Sequence, residues 1–252
     1  MLPPASPMLR NAISISVVIP VYNSATIFPV LYARLQEVLG SLTDSYTCIF
    51  VDDGSTDNSW AVISQQAAAD QHCKALGSMH NCGQHAAIFA GLQYNEADYV
   101  VVMDDDLQDA PEDIPLLFQK VREGYDAVMC RRKTVFASPF RRLASSAFYI
   151  VLSIISRVRM FPGTANFGIY TKDVIDDILK KNTRYFFLPL TARRYSKVSG
   201  TIQVAHHPRY TGVSQYSFRS AWKLARNILR GSLRFHSAAG NHRFTVDRTA
   251  GI

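Results

Sequence analysis

Three successive aspartates, Asp104, Asp105 and Asp106, follow the apolar run YVVVM at residues 99–103. Like charges repel, and carboxylates at the end of a buried strand lose hydration, so we expect a cation beside them. Two carboxylates one residue apart can share a divalent cation, and oxygen ligands suit Mg²⁺ or Mn²⁺. Because Mg²⁺ usually completes its shell with water and substrate phosphates, the triplet predicts a bound diphosphate. The alternative is an ordinary solvated acidic loop.

A second acidic motif, VDDGSTD at residues 51–57, offers a place for the nucleotide that carries such a diphosphate. Asp53 can accept a hydrogen bond from a base N–H or a ribose hydroxyl, and Gly54 allows close backbone approach. The chain contains neither GxGxxG nor GxxxxGK[ST], which argues against dinucleotide binding and against a P-loop. The two acidic motifs together favour a nucleotide-diphosphate ligand.

Apolar runs that end in polar residues are predicted to be the strands that position these motifs. They occupy residues 13–23, 46–55, 74–81, 98–106 and 125–132. Amphipathic segments predicted to be helices lie between them, and the last of these runs from about Pro111 to Glu123. Because the apolar runs are continuous rather than alternating, we expect a mostly parallel α/β sheet with helices on both faces. Ligands bind such sheets at the carboxyl ends of the strands, where this sequence has Tyr22, Asn23, Asp52, Asp53, Asn81 and residues 104–106.

The composition suits a protein with a substantial core, since the 252 residues are 48% hydrophobic and 19% charged. The longest apolar run, at residues 147–155, is about half of the 18 to 20 residues needed to span a bilayer. The N-terminus lacks the apolar core of a signal peptide, so we expect neither secretion nor a membrane span. The four cysteines form no CxxC pair, which predicts reduced core residues in a cytosolic protein.

Charge divides the chain into two unequal parts. Residues 1–126 hold 5 Lys/Arg and 16 Asp/Glu, whereas residues 127–252 hold 22 and 4. The first part is therefore expected to hold cations and the second to meet anions. In the second part, residues 138–161 are predicted to be helical and 200–210 to form a strand, while no element is predicted for 163–181.

The segment 217–235 is basic along one predicted helical stripe and apolar along the other. The basic stripe consists of Arg219, Lys223, Arg226, Arg230 and Arg234. This pattern is typical of a helix lying on an anionic membrane surface, and the alternative is a surface helix packed on the core. We expect no nucleic-acid partner, because the arginines lack the stacking aromatic clusters of nucleic-acid binders.

Four segments, SVVIPVYN, VDDGSTDNS, NCGQHAAIFAGL and VVMDDDLQDAPEDIP, together resemble the family-2 glycosyltransferases of the A-type fold. The chain is most similar to their polyprenyl-phosphate branch, of the dolichyl-phosphate mannose synthase type, and HHPRYTGVSQYSF looks like the R-x-x-G-x-S-[KR]-Y segment of that branch. The resemblance covers about residues 13–230. It implies a Rossmann-like A-type glycosyltransferase fold and inverting, metal-dependent transfer from a UDP- or GDP-sugar to a polyprenyl phosphate.

The resemblance also implies roles for individual residues. The nucleotide-sugar pocket would be formed by Pro20, Tyr22, Asn23, Asp53, Asn81, Gly83, Gln84, Asp104 and Asp105. Mg²⁺ or Mn²⁺ would lie between Asp104 and Asp106, and the catalytic residues would be Asp106, Gln108 and Arg132. The acceptor phosphate would meet Arg132, Arg141, Arg209 and Ser214. A lipid phosphate, whose second pKa is about 6, needs little help from a general base.

The sequence departs from the family pattern at several positions. Asn166 stands where several bacterial relatives have an Asp, Gln215 replaces a Lys, and Val135 stands where a second Arg is common. The loss of the carboxylate at 166 fits a phosphate acceptor better than a hydroxyl. Bacterial relatives also continue into transmembrane helices, and the polar segment 236–252 is not expected to span a membrane.

Two other functions stay open. One is sugar transfer to a glycan hydroxyl in surface polysaccharide synthesis, which needs a base such as Asp109 or Asp113. The other is a catalytically silent nucleotide-sugar-binding module, against which the intact aspartates argue.

The expected organisation has four parts: an extension at 1–12, a catalytic domain at 13–216, an interfacial helix at 217–235 and a tail at 236–252. Within the catalytic domain, the nucleotide-sugar half would extend to about residue 130 and the acceptor half would begin at about 131. We expect a cytoplasmic protein held peripherally on the inner membrane face, and a homo-oligomer is left open.

Overall fold

A sheet of mostly parallel strands is the centre of the fold. The computed structural model describes residues 13–132, 149–154, 156–181 and 187–205, and the backbone of residues 245–246. In chain order the strands are β1 (Ile15–Val21), β2 (Tyr46–Asp52), β3 (Cys73–Gly77), β4 (Tyr99–Val102), β5 (Ala127–Arg132), β6 (Thr164–Thr171), β7 (Ser199–Val204) and β8 (Thr245–Val246). Their spatial order is β7-β5-β6-β4-β1-β2-β3-β8. Only β6 and β8, among these strands, run antiparallel to their neighbours.

Helices cover both faces of this sheet. They are α1 (Phe28–Leu42), α2 (Ser59–Ala69), α3 (Gln84–Gln93), α4 (Ile114–Val121), α5 (Lys172–Lys181) and α6 (Leu188–Tyr195). A short 3₁₀ turn, Pro111–Asp113, precedes α4, and residues 149–154 are also helical. Apolar side chains of α1, α2 and α4 belong to one buried cluster, whereas those of α3, α5 and α6 belong to another.

Strand β1 shows why the apolar runs are continuous. All seven of its residues are buried. Val17 and Ile19 belong to the cluster beneath α1, α2 and α4, while Val18 belongs to the cluster beneath α3, α5 and α6. Successive side chains of a strand point to opposite faces, so a strand covered on both faces needs apolar residues at every position.

The chain reverses its direction of travel across the sheet after β3. It passes from β1 outwards through β2 to β3, and α3 then leads back to β4 on the other side of β1. The carboxyl ends of β1 and β4 therefore frame a crevice where the strand order changes, which is the usual ligand site of an open α/β sheet. Asp104 and its neighbours follow β4 after one intervening residue, Met103.

The predicted α/β class, with a mostly parallel sheet covered on both faces, is confirmed. The strand predictions were too long at their ends, since β4 stops at Val102 and the aspartates lie in the following loop. Residues 163–181, for which no element was predicted, contain β6 and α5. Strand β6 lies between β4 and β5 and pairs antiparallel with both.

Several predictions fall outside the described residues. These are the interfacial helix at 217–235, the phosphate contacts Arg141, Arg209 and Ser214, and the departures at Val135 and Gln215. Among the helices that the structure describes, none is long and apolar enough to cross a bilayer. The four cysteines are free thiols, and three of them, Cys48, Cys73 and Cys130, are buried as predicted.

Candidate active site

Asp104, in the loop after β4, lies between the first turn of helix α3 and the end of strand β5. The Nε2 of Gln84, in the first turn of α3, donates a hydrogen bond to Oδ1 of Asp104 at 2.5 Å. The guanidinium of Arg132, the last residue of β5, lies 3.4 Å from Oδ2 of the same carboxylate. Three sequence-predicted residues from three separate elements therefore meet at one point.

Arg132 is held in place by a second carboxylate, Asp109. Its Nη2 and Nε donate to the two oxygens of Asp109 at 2.6 and 3.2 Å. The side chain of Asp109 is fully buried, whereas that of Arg132 is 25% exposed. A two-point pair fixes the plane of a guanidinium, so Asp109 positions the charge of Arg132 beside Asp104.

The acidic loop has perturbed protonation equilibria. Burial raises the pKa of Asp104 to about 7; nearby Arg132 opposes this rise, and the charges of Asp109, Asp106 and Asp105 reinforce it. Burial also raises the pKa of Asp105 to about 6, against the lowering effect of its hydrogen bond from Ser24. A nearby positive charge would stabilise the ionised form of these carboxylates, as expected for a site that receives a cation.

Asp105 joins the acidic loop to the end of β1. Its Oδ2 accepts hydrogen bonds from the backbone N–H of Tyr22, at 3.3 Å, and from the hydroxyl of Ser24, at 2.5 Å. The carboxylate therefore fixes the position of Tyr22 at the rim, while Pro20 is buried within β1 itself. The predicted nucleotide contact of Asp105 stays a prediction.

Asp53 braces the loop between β3 and α3. Its Oδ1 and Oδ2 accept hydrogen bonds from the backbone N–H groups of Cys82, at 2.7 Å, and Gly83, at 2.8 Å. Gly83 has a φ of 95° and lies immediately before α3, so this brace also sets where Gln84 begins the helix. The contact of Asp53 with a base stays a prediction, and its carboxylate already has a structural role.

Two further rim residues connect neighbouring loops. Oδ1 of Asn23 accepts a hydrogen bond from the backbone N–H of Thr56 at 2.8 Å, which links the ends of β1 and β2. Gly54 has a φ of 70°, and a Cβ there would lie 2.7 Å from the carbonyl carbon of His80 and 2.8 Å from the backbone N of Asn81. The close approach that Gly54 permits is therefore to the chain's own backbone.

The sequence profile of the family described as "Glycosyl transferase family 2" matches residues 16–196, which include all of the rim residues above. This chain belongs to glycosyl transferase family 2. Curated relatives include the undecaprenyl-phosphate 4-deoxy-4-formamido-L-arabinose transferases of Proteus mirabilis (strain HI4320) and Klebsiella pneumoniae (strain 342). The first is 36% identical over 216 residues, covering 85% of this chain and 66% of the relative. The second is 35% identical over 205 residues, covering 81% and 63%.

The chain thus spans slightly less than two thirds of the length of these two family 2 relatives. A solved structure, glucosyl-3-phosphoglycerate synthase from Mycobacterium tuberculosis in complex with Mn²⁺, UDP and phosphoglyceric acid, matches with a TM-score of 0.61. It is 15% identical, and the match covers 88% of this chain and 78% of that one. The likeness confirms the predicted glycosyltransferase fold.

The family 2 fold implies a divalent metal, and the residues at the rim fit one. Asp104 and Asp106 provide carboxylate oxygens, which Mg²⁺ and Mn²⁺ prefer. Within the described residues no group of three or more His, Cys, Asp or Glu is arranged to hold a metal ion. That is compatible with a site completed by substrate, because Mg²⁺ is commonly bound through one or two carboxylates plus water and phosphates. Oδ1 of Asp106 accepts a hydrogen bond from the backbone N–H of Gln108 at 3.1 Å, which orders the loop.

Some residues of this family 2 site were not identified from the sequence. Ser24 and the positioning role of Asp109 depend on partners about 81 and 23 positions away along the chain. Asp52 was placed at the rim, but no role was given to it. Its Oδ2 accepts from the backbone N–H of Ser55 at 3.1 Å, and its buried Oδ1 has no hydrogen-bond partner among the described residues. Asn166, at the start of β6, likewise has a buried Oδ1 without such a partner.

Proposed function

We propose that this protein transfers a sugar from a nucleotide-sugar donor to a polyprenyl phosphate. The observation that carries the proposal is the cluster of Asp104, Gln84 and Arg132 at the crevice beside β1 and β4. Such a cluster can hold a metal-bound diphosphate with a fixed positive charge beside it. The named relatives act, by their names, on undecaprenyl phosphate, which supports a lipid phosphate as acceptor.

The leaving group of the donor is a nucleoside diphosphate, which gains negative charge as the bond to the sugar breaks. Arg132, oriented by Asp109, provides a positive charge beside the diphosphate, where the negative charge develops. A charged group that is already in position lowers the barrier to transfer, because it need not reorganise during the reaction. Mg²⁺ or Mn²⁺, when bound at Asp104 and Asp106, supplies further charge neutralisation. Gln84 and Arg132 orient the carboxylate of Asp104 from two sides.

The acceptor phosphate attacks the anomeric carbon from the face opposite the diphosphate, so the configuration inverts. A phosphate monoester with a second pKa of about 6 is largely ionised at neutral pH and needs no general base. Transfer to a glycan hydroxyl would need one. Asp109, a candidate for that base, has a fully buried side chain paired with Arg132, which favours the phosphate acceptor.

The first test is a thermal-shift panel of UDP, GDP, dTDP and CDP, each with Mn²⁺, Mg²⁺ or EDTA. We expect one nucleotide to raise the melting temperature only when a divalent metal is present, because a ligand that binds the native state stabilises it by mass action. No rise with any combination would contradict the proposed donor site and would favour the catalytically silent module.

The second test is Asp106→Asn, assayed for sugar transfer to undecaprenyl phosphate with the donor found in the panel. We expect transfer to fall at least about 100-fold, because the substitution removes charge from the proposed metal site. Glu96→Gln, an equal charge change at an exposed position, is the control and should keep full activity. Unchanged transfer by Asp106→Asn, with Glu96→Gln also active, would remove the metal assignment.

We also propose that the protein acts peripherally at the inner membrane face, where a polyprenyl phosphate acceptor is anchored. The basic stripe in 217–235 supports this, since each Arg or Lys near an anionic surface contributes about 1 kcal/mol. Replacing Arg219, Lys223 and Arg226 with Gln should reduce sedimentation with phosphatidylglycerol vesicles. Equal sedimentation of the variant and the parent protein would exclude this segment as the contact.

A further inference from the structure

Three arginines gather around one aromatic ring on the side of β5 away from Arg132. The guanidinium carbons of Arg131, Arg159 and Arg193 lie 4.9, 5.2 and 4.7 Å from the ring centroid of Phe161. Phe161 lies just before β6, and Arg193 belongs to α6. The cluster thus brings together strand β5, helix α6 and the segment that enters β6.

This arginine cluster carries an excess of positive charge. Among the described residues, none of its three arginines forms an ion pair with a carboxylate. Within the same residues, Nε of Arg131 and Nη1 of Arg193 are buried and have no hydrogen-bond acceptor. Burial, and then the charges of Arg159 and Arg131, lower the pKa of Arg193. Donors that are buried and unpaired, with like charges beside them, favour an anion with several acceptor oxygens.

The cluster is separate from the proposed donor site. Successive side chains of a strand point to opposite faces of the sheet. In β5, Ala127 and Met129 belong to the buried cluster beneath α3, α5 and α6. Val128 and Cys130 belong to the cluster beneath α1, α2 and α4. Arg131 therefore turns towards α6, while Arg132 turns to Asp109.

An exposed apolar surface belongs to the same segment as Arg159. Ile150, Val151 and Ile154, on the helical residues 149–154, are 59%, 50% and 71% exposed. Leu152 of this helix is buried and packs with Leu190 of α6, the helix that carries Arg193. Exposed apolar side chains in the same segment as an arginine without a carboxylate partner among the described residues match the chemistry of an anionic lipid, which has a phosphate headgroup attached to hydrocarbon.

We propose that Arg131, Arg159 and Arg193 around Phe161 bind the headgroup phosphate of an anionic membrane lipid, with Ile150, Val151 and Ile154 entering the hydrocarbon boundary. The guanidinium fork matches phosphate oxygens two at a time, which an ammonium cannot do. The site is distinct from the proposed nucleotide-sugar site, and it does not depend on which sugar or acceptor the enzyme uses. A free phosphate ion offers the same chemistry without the hydrocarbon.

The test compares Arg159→Gln/Arg193→Gln with Arg122→Gln in the full chain. Arg122 contacts the ring of Phe118 as the cluster arginines contact Phe161, so it controls for loss of a cation–π contact, though with one charge removed rather than two. Partitioning is measured into phosphatidylcholine vesicles that contain about one third phosphatidylglycerol, which gives them an anionic surface. We expect the partition coefficient to fall about 10-fold or more in the double variant, and no more than about 5-fold in Arg122→Gln.

A parallel titration with inorganic phosphate, at constant ionic strength, distinguishes the lipid from the free ion. We expect no variant-dependent thermal shift with phosphate alone. Two results together would overturn the lipid assignment in favour of a free phosphate. Phosphate would raise the melting temperature of the parent protein but not that of the double variant, and the double variant would bind vesicles no more weakly than Arg122→Gln does. Vesicle binding that falls no further than in the control, with no such shift, would overturn the site altogether.

The stability of the ligand-free variant separates binding from a merely structural role. If the arginines serve only to hold Phe161, their replacement should lower the melting temperature and leave vesicle binding like that of the control, which would contradict the proposal. A lipid site predicts an unchanged or higher melting temperature, because repulsion among three like charges is relieved. Stabilisation by nucleotide and metal should persist in the variant, so failure here is distinguishable from failure of the donor site.

Discussion

Asp53 and Asp104 stand in acidic motifs that look alike in the sequence, yet their surroundings differ. Asp53 accepts two backbone N–H groups from the loop before α3. Asp104 meets the side chains of Gln84 and Arg132 and has a pKa raised by burial to about 7. The carboxylate of Asp53 therefore holds the loop at the rim in place. The carboxylate of Asp104 is instead one of the negative charges that a bound cation would neutralise.

Replacement of Asp53 by Asn should destabilise the protein even without ligand. An amide offers one acceptor oxygen, so one of the N–H groups of Cys82 and Gly83 would lose its partner, at a cost of about 1–3 kcal/mol. Urea unfolding without nucleotide measures the change, with Asp44→Asn at an exposed bend as the control. If Asp53 served only to bind a base, the ligand-free stability would stay at the parent value.

The residues that the sequence identified best are those whose chemistry is local. Asp104 to Asp106 follow an apolar strand directly, so their place at the rim could be predicted from strand position alone. The brace at Asp53 could not, because its donors lie 29 and 30 positions further along the chain. For the same reason the sequence alone leaves Asp109 as a candidate base, whereas the structure pairs its carboxylate with Arg132, 23 positions away.

At the scale of elements, α3 connects the core to the site. Its first residue, Gln84, donates to Asp104, and Gly91 near its other end lies against the sheet. A Cβ at Gly91 would approach Cγ1 of Val18 to 2.5 Å and Cγ2 of Val51 to 2.9 Å. The height of α3 above β1 and β2 therefore depends on the absence of a side chain at this one position.

Gly91→Ala should displace α3 and reduce stability by about 1–3 kcal/mol, the usual cost of overpacking a core. Because Gln84 moves with the helix, metal-dependent nucleotide stabilisation should also weaken. Gly40→Ala in α1 is a matched control, since a Cβ at residue 40 would meet nothing within 4 Å, and it should be neutral or stabilising by up to about 1 kcal/mol. Equal melting temperatures for the two variants would show that α3 can shift freely.

Strand β6 could not be predicted from the pattern of apolar residues in the sequence. The run TANFGIYT mixes Gly and Asn with apolar residues, so it lacks a continuous apolar pattern. Its pairing with β4 and β5 depends on contacts with strands that are distant in the sequence. The parallel strands β1, β2 and β4 were predictable because each is a continuous apolar run that a helical segment follows. An inserted antiparallel strand has no such local signal, and β propensity depends strongly on context.

Across the whole molecule, the two ends of the parallel strands differ in their electrostatics. At the end away from the site, Asp98 at the start of β4 accepts from the backbone N–H and hydroxyl of Ser14, at 2.9 and 2.7 Å, and these bonds lower its pKa. At the opposite end, burial raises the pKa values of Asp104 and Asp105. The carboxylate of Asp98 is thus more acidic than those of Asp104 and Asp105.

Asp98 should contribute stability that is present above its unfolded pKa, about 3.9, and lost as the pH falls through its lower folded value. Asp98→Asn is therefore expected to be less stable than the parent protein at pH 7 and to match it near about pH 2. The difference should be small, since the carboxylate is exposed and screened by solvent. Urea unfolding at several pH values tests this, and a difference that grows as the pH falls would contradict it.

The reversed direction of β6 has a consequence for how this scaffold can be re-engineered. Because β6 runs antiparallel to β5, the chain leaves β5 at Arg132 and enters β6 at Thr164 at the same end of the two strands. The backbone N–H of Arg132 donates to the carbonyl of Gly163 at 2.9 Å. The chain positions on either side of residues 133–162 are therefore already hydrogen-bonded to each other. Replacing residues 133–162 with the corresponding residues of another member of the family should therefore leave the pairing of β5 with β6 intact.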